Sequence, residues 1–475
     1  MYAPKLSFRG LLFLKPYPKH QRYVIASSPK FLKIAVPTPL RRSFDYLPVI
    51  GVQEPAAGSR IRVPFGRRQV IGILIEITEI STLPSEQLKP ALECLDTEPL
   101  FSAELFSALL WASDYYQHPI GDTFATALPK LIRTGSPINQ PAVIQYQAVH
   151  VGQTHDSRLK HAPRQRKLVK YLTQNGPLSA AQIRQAGFDR VLLKQLVGKG
   201  MVTARTGEHP NKNLHLGPVI AAPPVKPNPD QIRALAAIDP ELGFQCSLLN
   251  GVTGSGKTEV YMQAMAKVLR EGKQCLMLVP EIGLTPQNLR RFKQRFNCQV
   301  VAMHSAMTDR ERLLAWRATR TGSASIIIGT RSAIFLPLAR PGIIIVDEEH
   351  DSSFKQQEGL RYSARDFAIK RAQLENIPIV LGSATPSLES LNNALAGKFQ
   401  HLKLSRRAGH AYEPKMSLVD MSSDSVHEGI SHTLSIKMEK HLRQGNQVLL
   451  FINRRGYAPV LQCDQCGWHC ECQHC

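Results

Sequence analysis

The sequence predicts a multidomain α/β protein centred on a doubly wound parallel sheet, with a small β-rich domain and a winged helix ahead of it. Three observations carry that expectation. The stretch SLLNGVTGSGKTEVYMQAMAKVL, Ser247 to Leu269, sets an apolar strand, a glycine loop and an apolar-periodic helix in succession. Further apolar runs downstream end in polar clusters and alternate with helical patterns, as parallel strands joined by crossover helices do. At 475 residues the chain also exceeds one ordinary domain.

Composition narrows the partner class. Lys and Arg outnumber Asp and Glu by 59 to 37, a formal charge of +22, which favours a polyanion, nucleic acid before anionic membrane. No run approaches the ~20 apolar residues of a bilayer span, so no membrane partner is expected. Cys94, Cys246, Cys275 and Cys298 are scattered, whereas the other five cysteines crowd the last thirteen residues. Clustered CxxC pairs favour metal over a disulfide framework.

In chain order, residues 1–30 hold six Lys/Arg and no Asp or Glu. Their poor amphipathic periodicity favours a disordered basic tail, or a start codon assigned too early, over an organellar transit peptide. From Phe31 to about residue 135, FLKIAVPTPL, SRIRVPFG and QVIGILIEITEI read as strands between Pro and Gly turns, and LFSALLWASDYY as a helix. Arg41, Arg42, Arg60, Arg62, Arg67 and Arg68 interleave with Phe44, Tyr46 and Phe65. That suits phosphate neutralisation with base stacking, and equally a small barrel with a solvated basic rim. Gly135 to Ser157 reads as linker. Residues 158–207 predict three short helices and a strand, MVTAR, a winged helix that contacts DNA through Lys194 and Lys199 or serves as a spacer. The proline-rich stretch 208–229 is a stiff connector.

The central α/β unit is expected over 230–400. Gly251, Val252, Thr253, Gly254, Ser255, Gly256, Lys257 and Thr258 match the phosphate-binding pattern G-x-x-x-x-G-K-[ST]. Lys257 is expected to reach the β- and γ-phosphates of ATP, and the Thr258 hydroxyl to ligate Mg²⁺. Gln231, just upstream, is placed to read adenine. CLMLVPEIGLTPQ, ASIIIGTRSAIF, GIIIVDEEHDSSF and IPIVLGSATPS supply further strands, with every polar cluster at a carboxyl end, where such sheets bind ligands. Asp347 is placed to hold Mg²⁺ and Glu348 to polarise the attacking water.

Together GVTGSGKTE, LVPEIGLTPQ, IIGTRSAIF, DEEHDSSFKQQEGLRY, GSATPS and FINRRGYAP followed by CDQCGW resemble one family, the PriA-type replication-restart helicases (primosomal protein N′) of superfamily 2. The resemblance runs from about Phe31 to Cys475. It implies that residues 31–135 bind the 3′ end of a nascent strand, with Phe44, Asp45 and Tyr46 lining the pocket and Gly58 and Lys89 beside it. It also implies a RecA-like helicase lobe over 230–400 and an aromatic-rich loop, Asp351 to Asp366, coupling DNA to ATP through Phe354, Lys355, Arg361 and Tyr362. Leu360 replaces the family's usual Trp. His350, Ser383, Ala384 and Thr385 would link nucleotide state to lobe movement. A second lobe would start at 401–462, including the strand QVLLFINRRGYAPVL.

Residues 463–475 begin a cysteine-rich region, where Cys463, Cys466, Cys472 and Cys475 form two zinc-type knuckles. The family carries eight such cysteines and two Zn²⁺, then the rest of lobe 2 with its arginines, so the sequence is expected to be an N-terminal portion lacking those arginines. The implied partners are forked and single-stranded DNA, other primosome proteins, single-stranded DNA-binding protein and a replicative-helicase loader. The implied setting is the bacterial cytoplasm, at the nucleoid. The alternative is a fork-binding primosome scaffold without motor activity.

Overall fold

The computed structural model describes residues 30–49, 51, 54–139, 143–149, 162–207, 220–222, 225–407, 415–451, 466 and 468. The basic extension, Lys30 excepted, and most of the proline-rich connector lie outside the described residues.

The N-terminal sheet contains β1 (Phe31–Ala35), β2 (Phe44–Tyr46), β3 (Arg60–Phe65), β4 (Arg68–Thr78) and β5 (Glu93–Cys94), in the order β2-β1-β4-β3-β5. Alternation along these strands sends Leu32, Ile34, Ile61, Val63 and Leu74 into one core. Helix Ala103–Tyr115 follows, capped by Ser102, which accepts the Leu105 N–H. Arg60 clamps sheet to helices. Its Nε and Nη2 donate to the Asp96 carboxylate at 2.8 and 2.7 Å, and Nη1 to the Ile132 and Ser136 carbonyls. Both side chains of the pair are buried. Arg60 is therefore a structural residue and not part of a nucleic-acid rim.

The stretch expected to be a winged helix has helices Pro163–Asn175, Ala180–Gln185 and Arg190–Gly198 and its own core around Leu168, Leu172, Ile183, Leu193 and Leu196. Its sheet is ordered β7-β6-β8, with β6 (Val143–Ala148) between β7 (Leu178–Ser179) and β8 (Val202–Gly207). The central strand thus falls in the stretch expected to be linker. VIQYQA is too polar to declare itself locally; its ladder partners lie across the domain.

The α/β unit is a seven-stranded sheet in the order β11-β12-β10-β13-β14-β9-β15, every pairing parallel. Its strands are β9 (Cys246–Gly251), β10 (Gln274–Leu278), β11 (Val300–Met303), β12 (Ile326–Gly329), β13 (Pro341–Asp347), β14 (Ile379–Ser383) and β15 (Gln400–Leu404). The inner strands bury both faces, hence their near-continuous Ile, Leu and Val runs. β15 corrects the expected lobe boundary at 401. It pairs with β9 and completes the first lobe, and Ser405 beyond it donates to Asp230.

The helical end of the N-terminal domain and this unit share one hydrophobic core, in which Leu105, Leu109, Ala112 and Phe124 join Trp316, Phe335 and Phe367. Arg317 adds bonds to the Ile138 and Pro137 carbonyls. Residues 409–475 form a separate unit, with a hairpin of β16 (Val426–His427) and β17 (Ile430–Ser431) and helix His432–Arg443, capped by Ser431. Of the strand expected over 447–461, residues 447–451 are described and form no strand; the rest lie outside the described residues. No helix among the described residues is long and apolar enough to cross a membrane.

Candidate nucleotide site and DNA-facing surfaces

The phosphate loop leaves β9 at Gly251 and enters helix Lys257–Arg270 through Gly254 (φ 80°) and Gly256 (φ 85°), left-handed positions that favour glycine. A Cβ at Gly256 would also run into the Gln231 amide. No side chain caps the helix, so its first N–H groups are left for an anion. Lys257 Nζ donates to the Gly251 carbonyl at 2.9 Å and stands 3.8 Å from Glu348 Oε1. These groups line a cleft of about 650 Å³ with Thr258, Asp347 and Glu348. An uncapped helix N-terminus, a buried ammonium and two carboxylates fit a nucleoside triphosphate with Mg²⁺. Gln231 braces the loop: Nε2 donates to the Ser255 carbonyl and Oε1 accepts the Asn228 N–H. Reading a base would require those bonds to be exchanged.

Asp347 and Glu348 sit where β13 ends, opposite Gly382 on β14. Burial pushes the Asp347 carboxyl above its usual value, and a hydrogen bond from Tyr261 pulls it back. Glu348 holds a left-handed conformation (φ 48°), backbone strain of the kind that clusters at functional sites. His350 Nδ1 lies 2.7 Å from Ser383 Oγ and its Nε2 3.4 Å from Thr385 Oγ1, tying DEEH to SATPS. Ala384 and Thr385 line a second cavity of about 490 Å³ that shares Asp347 and Glu348 with the cleft.

Glu349 was not singled out from the sequence, yet it organises this face. Its buried carboxylate accepts from Ser387 N at 2.7 Å, Ser390 Oγ at 2.8 Å and Arg365 at 3.1 Å. Tyr261 escaped notice as well; its signal was Gly382, a glycine inside a strand pattern, which marks a close approach.

The loop after DEEH departs from expectation in its aromatics. Phe354 and Tyr362 are 2% exposed, Tyr362 packs on Phe335, and Leu360 shares the same core. They stiffen the loop and present no stacking face. Lys355 and Arg361 remain exposed, and Arg331 pins the loop by donating to the Ser353 and Lys355 carbonyls.

In the N-terminal domain, Asp45 Oδ2 accepts from Ser81 Oγ at 2.8 Å and Thr82 N at 3.3 Å. Phe44 meets Phe65 edge-on at 5.1 Å beneath the Arg42 guanidinium. Tyr46 is buried, its hydroxyl bonded to the Pro64 carbonyl. Lys89 is exposed, and its carbonyl accepts the Leu47 N–H, which keeps it near. Gly58 is not brought to this group. It bonds Leu74, which pairs with Ile34, which pairs with Phe44, and it packs under Pro99 and Phe106. Of the expected zinc ligands, Cys463, Cys472 and Cys475 lie outside the described residues and Cys466 is exposed. Among the described residues no cluster of three or more metal-ligating side chains occurs.

Comparison with known proteins matches residues 33–129 to the PriA 3′ DNA-binding domain family and residues 228–394 to the DEAD/DEAH box helicases. A DEAD/DEAH-type helicase lobe fused to a 3′ DNA-binding domain is the class that fold and site define. Replication restart protein PriA of Haemophilus influenzae is 41% identical over 453 residues, 94% of this chain and 61% of that protein. Its counterparts in Bacillus subtilis and Chlamydia pneumoniae are 31% and 32% identical, over 88% and 94% of this chain and 61% of each protein. The chain is thus similar along most of its length to the PriA replication restart proteins and spans 61% of the length of these relatives.

Proposed function

We propose that this chain carries the fork-recognition and ATP-driven parts of a DNA helicase that restarts replication at stalled or repaired forks by initiating primosome assembly, unwinding 3′ to 5′. The observation behind this reading is the convergence of Lys257, Thr258, Asp347 and Glu348 on one cleft at the carboxyl ends of β9 and β13. Lys257 and the helix N-terminus bind the phosphates. Mg²⁺, held through Thr258 and Asp347, would offset charge on the β- and γ-phosphates. Glu348 orients the attacking water by accepting its proton, and His350 passes the state of that carboxylate to Ser383. Exposed basic residues supply salt-sensitive DNA affinity, while Asp45 accepts a hydrogen bond from a free 3′-hydroxyl.

The proposed partners are forked and single-stranded DNA, other primosome proteins, single-stranded DNA-binding protein and a helicase loader, in the cytoplasm at the nucleoid. The four paired cysteines are a donor set that suits Zn²⁺, which metal analysis of the purified chain would test. The central test is Lys257→Ala. It should abolish binding of a fluorescent ATP analogue and leave forked-DNA affinity within about twofold. Loss of both together would overturn this division of labour.

A further inference from the structure

Tyr116 follows helix Ala103–Tyr115 of the N-terminal domain, yet its side chain serves the motor. Its hydroxyl accepts the Ser363 N–H at 3.2 Å, and its ring lies 5.3 Å from the Lys355 ammonium. Lys355 and Ser363 pair with each other across the two arms of the loop that follows DEEH. One side chain from the neighbouring domain therefore holds both arms. Each arm leads to the DEEH segment. Asp351 N donates to the Glu348 carbonyl at 2.9 Å. Arg365, two residues past Ser363, donates to Glu349 at 3.1 Å and to Ser387 at 2.7 Å.

The residue after Tyr116 reaches toward the N-terminal sheet. Gln117, in a left-handed conformation (φ 53°), accepts from Arg41. Arg42, next in sequence, stacks over Phe44 at 5.0 Å, beside Asp45. A continuous run of bonded groups thus joins the sheet edge to the DEEH and SATPS segments.

We propose that Tyr116 is a positioning residue through which DNA seated on the N-terminal sheet changes nucleotide affinity at the phosphate loop. The proposal rests on the reading of residues 351–366 as a DNA-coupled loop. The cation–π contact and the hydrogen bond fix the spacing of the loop arms. A strand that draws Arg41 or Lys355 toward its phosphates shifts that spacing, and with it Arg365, Glu349 and Ser387. Linkage makes the effect reciprocal: nucleotide must alter DNA affinity by the same factor.

The test uses the 475-residue chain and the variants Tyr116→Phe and Tyr116→Leu. A fluorescent ATP analogue with Mg²⁺ is titrated alone, then with saturating oligodeoxynucleotide ending in a 3′-hydroxyl or a 3′-phosphate. Wild type should show a coupling ratio of at least about fivefold. Tyr116→Phe should at least halve it and Tyr116→Leu bring it near one, with each ligand's separate affinity unchanged within about twofold. Hydrogen exchange at the Ser363 amide should quicken in Tyr116→Phe while the phosphate loop stays protected. An unchanged ratio in the variants, or a wild-type ratio of one with both ligands bound, overturns the proposal. Equal wild-type ratios for the two strand ends would instead remove the end-reading role of Asp45, with Tyr116 still judged by its variants.

Discussion

The hydroxyl of Tyr261 donates to Asp347 Oδ1 across 2.9 Å, from a ring that is wholly buried. Room for it exists because residue 382 is glycine; a Cβ there would overlap that hydroxyl. One side chain thereby locks together the helix after the phosphate loop, the DEEH strand and the strand before SATPS.

Tyr261→Phe removes the hydrogen bond that draws the Asp347 carboxyl back down, so burial pushes it further up. A higher value means more protonated carboxyl at a given acidic pH. Mg²⁺-dependent nucleotide binding should therefore fail at a higher pH than in wild type on acidification. The extra loss should grow as the pH falls, up to the roughly tenfold worth of a hydrogen bond to a charged group. Titrations at pH 6 and pH 8 check this; equal weakening at both would refute the electrostatic cause.

Gly382→Ala overpacks the same contact and should destabilise the protein by about 2–3 kcal/mol. In a Tyr261→Phe background the cost should shrink, because the overlapping oxygen is gone. Denaturant unfolding of the four proteins gives the coupling, and strict additivity would show that the two residues do not meet as described.

Glu348→Gln keeps the side-chain shape at the strained position but loses the carboxylate proposed to accept the water's proton. On the proposed function, nucleotide affinity should hold within about twofold, while in a full-length protein that includes the second lobe DNA-stimulated hydrolysis should fall at least about a hundredfold. Retained hydrolysis would move the water-orienting role to another residue.

Arg60→Met leaves the buried Asp96 carboxylate without its cation and should cost about 3–5 kcal/mol in urea unfolding. Adding Asp96→Leu should recover much of that. A single-variant cost under about 1 kcal/mol would mean that water replaces the guanidinium.

Asp45→Ala should erase preference for a fork with a leading-strand 3′-hydroxyl over one with a 3′-phosphate, and leave the slope of affinity against salt unchanged. Anisotropy titrations at several salt concentrations separate the two effects. A wild-type protein indifferent to the terminal group would disprove the pocket.

The phosphate loop, the DEEH cluster and the inner strands were legible because their signals are local: glycines at fixed spacing and doubly buried apolar runs. Strands β6 and β15 were not, since each takes its stability from distant partners and neither VIQYQA nor QHLKL is apolar enough to stand alone. Residue type also failed to give direction. Arg60, Phe354 and Tyr362 have DNA-binding chemistry but face inward. Glu349 and Tyr261 act on groups 38 and 86 positions away, separations that no local pattern encodes.

Helices Ala103–Tyr115 and Ala364–Glu375 share one core, which ties the N-terminal domain rigidly to the first lobe. If Asp45 holds a strand terminus as proposed, that terminus would be pinned at a constant offset from Lys257, and the motor could not reel it in by swinging the sheet. DNA must slip or buckle instead. Binding measured across forks of graded gap length should show one optimum, and a flat profile would argue against a fixed offset. The fold in that case acts as a measuring jig, sorting junctions by the distance between terminus and fork before any ATP is hydrolysed.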